Sequence, residues 1–150
     1  MNKLKEKIFA FILKRQANRQ VSMPAWKKAK TIAILAQNDN IPHIIQDLQK
    51  QGKEVVVFTM PTKKEICWLT DRPKSIIREK LTARKFDILI DLNQSDSLTM
   101  QYMAMYIQAS FKTGRYLRDG IHDLTINTAA QDKPDYLYQQ IMRYIEMFGG

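Results

Sequence analysis

Cysteine, histidine, glycine and proline are all scarce in this chain of 150 residues, at one, two, five and five. The single thiol, Cys67, excludes an internal disulfide framework and any cysteine-rich metal site, and it fits a reducing compartment. Alone, it reads either as a small half-buried hydrophobe or as a reactive thiol. The two histidines, His43 and His122, lie far apart in the sequence, so no metal cluster and no bound metal are expected. No glycine occurs between Met1 and Gln51. That excludes a glycine fingerprint after the first strand, and no phosphate-cradling Gly-Lys-Ser/Thr loop occurs elsewhere. No cofactor is expected. Long apolar runs are missing too. The run Ile8–Leu13 is too short for a signal-peptide core or a membrane span. These absences point to one cytoplasmic domain, large enough to bury roughly 70% of its unfolded surface.

Charge is present but unevenly spread. Residues 1–30 hold nine Lys/Arg and one acid, Glu6, while residues 31–150 hold fifteen Lys/Arg and fourteen acids. The excess of positive charge belongs to a leading segment, and the body is nearly neutral. A nucleic-acid-binding body would carry its basic face on the domain itself.

The stretch FDILIDLNQSDSLTMQYMAMYIQASFKTGRY, Phe86 to Tyr116, sits at the centre of the organisation. Asp87–Leu92 is an apolar run without alternation, which suits a strand covered on both faces. Asn93–Ser97 is a polar loop of helix-capping residues. Leu98–Ala109 is apolar almost all round, as in a helix buried on several sides. Phe111–Arg115 is the next strand. Met100, Tyr102, Met103, Met105 and Tyr106 either fill the core or leave a face for a homodimer.

The remaining elements flank this centre. Residues 2–19 predict a helix with Leu4, Ile8, Phe11 and Ile12 as its apolar stripe and Phe9 and Leu13 beside it. Three readings stay open for that helix. It docks on the domain, it lies on an anionic membrane surface through Lys3, Lys5, Lys7, Phe11, Lys14 and Arg15, or it contacts nucleic acid or another protein. Residues 20–30 form a connector interrupted at Pro24, giving a basic helix and connector over 1–30 and a single α/β domain over 31–150. Thr31–Ala36 and Glu54–Thr59 are strands. Between them lies a helix opened by Pro42, capped by Asp39 or Asn40 and stopped at Gly52. That is a βαβ unit. A helix follows Pro73, a last strand spans Asp123–Asn127, and a final helix follows Pro134. The count predicts a three-layer α/β/α sandwich with a mostly parallel five-stranded sheet in the flavodoxin-like order 2-1-3-4-5.

In such a sheet ligands bind beyond the carboxyl ends of the strands, where the strand order reverses. That places Asn38, Asp39, Asn93, Ser95 and Asp96 around one cleft, with Arg115 able to join them. The same residues also serve as turn and cap formers. Asp87 and Asp91 stand at opposite ends of their strand and make no catalytic pair. No nucleophile-elbow motif surrounds any serine, and no catalytic residue is assigned.

The FD-x-L-I-D-L strand, the polar loop, the apolar helix and the F-K-x-G-R strand resemble a family of small uncharacterised bacterial α/β proteins over most of residues 31–148. That resemblance implies no known activity. More distantly, about 30 residues of the same segment are similar to heptosyltransferase-like glycosyltransferases. Those enzymes carry a Gly-Asp pair where this chain has Asn38-Asp39, and they need a second α/β half. The residues therefore favour a binding or assembly module, peripheral to a membrane through residues 2–19. The alternatives are an enzyme or ligand-binding domain for a sugar-like molecule, and a nucleic-acid contact through the basic arm.

Overall fold

The computed structural model describes residues 2–16, 19–128 and 133–148. Five strands, β1 (Thr31–Ala36), β2 (Glu54–Thr59), β3 (Lys85–Asp91), β4 (Gln108–Arg115) and β5 (Leu124–Ile126), form one sheet in the order β2-β1-β3-β4-β5. All four pairings are parallel. The apolar runs in β1 and β3 make them the covered central strands, and Ile32–Leu35 and Ile88–Ile90 are fully buried.

Helices α1 (Lys3–Arg15), α2 (Pro42–Lys50), α3 (Ser75–Thr82), α4 (Leu98–Tyr106) and α5 (Pro134–Phe148) complete the layers. Side chains alternate across a strand, so each strand feeds two cores. Ala33, Leu35 and Leu89 face α1, α3 and α4. Ile32, Ile34, Ile88 and Ile90 face α2 and α5. Gly52 stops α2 with φ +81°, a left-handed turn that a side chain resists.

Several local details differ from the sequence expectations. The residue before α2 is Ile41, which makes no side-chain cap. Neither Asp39 nor Asn40 caps the helix. Instead the Asn38 side chain accepts the Asn40 N–H at 2.9 Å, forming a turn, and Pro42 removes the need for one donor.

In α1 the buried residue is Phe9, while Leu4 and Phe11 are 62% and 63% exposed. Ile8, Ile12 and Leu13 are half-buried. The inward face thus turns on Phe9, because its ring meets the Tyr102 ring edge-on at 4.6 Å between centroids. Lys5 pairs with Asp71 at 3.0 Å, and Glu6 pairs with Arg118 at 2.5 Å. Lys5 therefore belongs to the docking side, not to the free basic face.

Helix α4 stops at Tyr106, three residues earlier than its apolar composition predicts. The Lys112 ammonium reaches back from β4 and donates to the Ala104 and Met105 carbonyls, both at 2.9 Å. A cation on the last carbonyls satisfies acceptors the helix leaves open and suits the negative end of its dipole. Every residue of α4 is buried within its own chain, so this helix offers no face to a second copy.

Strand β5 is only three residues long and pairs with β4 over Thr113–Arg115. The earlier part of β4 is bordered by the connector instead. Ser22 N–H donates to the Ser110 carbonyl at 2.9 Å, and Arg19 donates to the Ala109 carbonyl at 3.1 Å.

Candidate functional site

At the reversal point between β1 and β3 a crevice of about 250 Å3 opens. Its apolar lining is Ala36, Ile41, Leu92 and Pro134, and its polar lining is Gln37, Asn38, Asn40, Gln94 and Ser95. The β3–α4 loop owes its shape to Asn93, whose side chain accepts from the Ser95 N–H at 3.2 Å and hydroxyl at 2.9 Å. Its amide group donates to the Ser95 carbonyl at 3.0 Å. Such a turn tightens the chain so that Ser97 can cap α4 through the Met100 N–H.

Of the residues expected here, Asn38 and Ser95 line the crevice. Asn93 is buried behind it and positions the loop. Asp39 is exposed and lies outside the lining. Asp96 turns outward, with a side chain 79% exposed. Arg115 lies beneath the loop and donates to the Gln94 carbonyl at 2.7 Å, so it braces the crevice from below. Gln37, Asn40 and Gln94, from the same two loops, complete the polar lining, and among the described residues the buried Gln94 Nε2 donor has no hydrogen-bond partner.

Among the described lining residues none is a carboxylate, imidazole, thiol or amine. The crevice offers amide and hydroxyl groups against an apolar floor. Such groups can donate and accept hydrogen bonds without carrying charge.

A buried acid–imidazole pair lies on the other face of the sheet. Next to Leu92 in sequence, Asp91 points away from the crevice, as strand alternation demands. Its carboxylate meets His122 Nε2 at 2.8 Å, with side chains 4% and 1% exposed respectively, and accepts the Asn93 N–H at 3.0 Å. Gly114, opposite Asp91 in register, makes this possible. A Cβ there would stand 2.6 Å from His122 Nε2. The glycine inside F-K-T-G-R was the one sequence signal for this pair, because a glycine within a strand marks a close approach. Among the described residues no hydroxyl or thiol is hydrogen-bonded to the pair, and His122 Nδ1 is buried with no partner among them.

On the same face, burial pushes the Lys112 ammonium down to about 7. The positive charge of Arg19 acts in the same direction, and Asp123 and Asp91 oppose it. His43 stays at the surface, paired with Asp135. Cys67 is half-buried, and hydrogen bonding, first with the Thr70 side chain, lowers its pKa.

The model of one protein family, described as a family of unknown function (DUF6913), matches residues 2–148. This chain belongs to DUF6913. No curated protein and no solved structure matches it. The DUF6913 match reaches back through α1, so the basic helix and the sheet fall within one family unit. No described helix is long and apolar enough to cross a membrane.

Proposed function

We propose that this DUF6913 protein is a non-catalytic binding module that takes a small uncharged, hydrogen-bonding ligand, of sugar or polyol type, into the strand-end crevice. The observation that carries this reading is the crevice lining. Five amide or hydroxyl side chains surround an apolar floor at the point where this sheet topology opens. The buried Gln94 donor lacks a partner among the described residues, and a buried donor left unpaired is costly until a ligand satisfies it. The volume suits one sugar ring rather than a nucleotide.

An enzymatic reading needs an acid or base beside the ligand. The Asp91–His122 pair is sealed on the opposite face, and the His43–Asp135 pair, close in sequence to the lining residues Ile41 and Pro134, is outside the lining. The binding reading is tested by thermal shift and amide NMR against a panel of monosaccharides and polyols. The expected result is a response that disappears in Gln94→Ala and Asn38→Ala. A panel that leaves wild-type spectra unmoved overturns it.

A further inference from the structure

We infer that the outer face of α1 and the neighbouring loop carrying Trp68 together dock on an anionic lipid surface. This goes beyond the crevice and does not depend on it. The helix is pinned inward by Phe9 and by the Lys5–Asp71 and Glu6–Arg118 pairs. What remains outward is apolar and basic at once. Leu4 and Phe11 are 62% and 63% exposed, and Lys3, Lys7, Lys14 and Arg15 are all exposed.

At 3.6 residues per turn, Leu4 and Phe11, seven apart, stack on one flank next to Ile8. Ile8 and Ile12 line a groove shared with Cys67 and Thr70. That flank therefore leads to the loop between Ile66 and Pro73, which a single bridge between those two residues closes. Trp68 at 78% and Leu69 at 57% exposure stand on this loop. Lys5 and Trp68 also line a common groove. Lys63 and Lys64 are exposed beside it.

The acids on this side are outnumbered. Asp71 is paired with Lys5, and Glu65, which accepts from the Thr62 N–H and hydroxyl, keeps its charge against exposed Lys3, Lys7, Lys63 and Lys64. Positive charge is therefore left to attract a surface of opposite sign.

The chemistry selects the occupant. Nucleic acid rewards the cations and can stack bases on Phe11 and Trp68, but it gives nothing for exposed aliphatic Leu4 and Leu69. A protein partner rewards an apolar patch depleted of charge at its centre, whereas exposed Lys3, Lys7, Lys14 and Arg15 share this face with the apolar side chains. A bilayer of anionic lipids rewards both features. Aliphatic and phenyl tips enter the acyl boundary, an indole settles at headgroup depth, and lysines stay with the phosphates.

The test uses the full chain and sedimentation with two kinds of vesicle. One is phosphatidylcholine alone, and the other contains about 30% phosphatidylglycerol. Binding to the anionic vesicles is expected to be about tenfold tighter or more and to weaken with salt. The double variant Phe11→Ser/Trp68→Ser should lose about tenfold of that binding while its thermal midpoint stays unchanged, since both residues are exposed. A blue shift of tryptophan emission on anionic vesicles should vanish in Trp68→Phe. Equal partitioning to both vesicles overturns the inference. So does undiminished binding by the double variant, or binding to a single-stranded oligonucleotide without binding to vesicles. Because the readout is lipid, failure here leaves the crevice reading untouched.

Discussion

One residue step at the end of β3 separates two different environments. Leu92 lies over an open crevice of amides and hydroxyls. Asp91, its neighbour, points the other way into a sealed pair with His122. At this end of the strands, the face toward α2 and α5 lines its crevice with uncharged polar groups. The face toward α1, α3 and α4 holds Asp91, His122 and Lys112 inside. The difference teaches that at this end of the sheet the buried Asp91–His122 pair serves cohesion, while the open side presents neutral groups.

The largest effect should come from opening the sealed side. His122→Ala strands the Asp91 carboxylate with one backbone donor and should lower stability by about 3 kcal/mol in denaturant unfolding. Removing both partners in Asp91→Ala/His122→Ala should lower it by less than the sum of the two single changes. Additive losses would mean the pair is not coupled.

Gly114→Ala should come next, at about 2 kcal/mol, because the added methyl runs into the histidine ring. In the His122→Ala background the penalty should shrink but not vanish, because the Asp91 Cβ still stands 3.0 Å from the added methyl. A full penalty in both backgrounds would remove the glycine's assigned role.

Lys112 gives a pH signature for the same face. Its folded-state pKa of about 7 lies below the ordinary 10.5. Between those values the unfolded chain keeps the proton and the fold does not, so stability rises with pH. The two carbonyls at the end of α4 favour the charged form and limit the rise. Across pH 7 to 10 the wild type should gain on Lys112→Met by at most about 1.4 kcal/mol per pH unit. A constant difference would place the ammonium in water.

The smallest stability effect should come from the open side. Gln94→Ala and Asn38→Ala should change stability by about 0.5 kcal/mol or less while removing any ligand response. A large loss of stability there would make the crevice a structural feature.

The sheet was legible in the sequence because its signals are local. Uninterrupted apolar runs mark β1 and β3, and Pro42 and Gly52 bracket α2. The end of α4 was not legible, because a lysine from the following strand stops it. Nor was the inward face of α1. Phe9 and Phe11 carry the same ring, and only the Tyr102 contact decides which is buried. In the crevice, Asn38 and Ser95 followed from topology. The roles of Asn93 and Arg115 as braces depend on which loop atoms they reach. The Asp91–His122 pair needs the β3–β4 register, which no single segment encodes.

The brevity of β5 has a practical outcome. Where it fails to reach, the ragged flank of β4 is sheathed by Arg19 and Ser22 of the connector. A chain trimmed to its sheet-forming part would bare those carbonyls, and bared strand margins recruit other strands. Any shortened form should therefore be checked for aggregates by light scattering before its behaviour is credited to a missing helix.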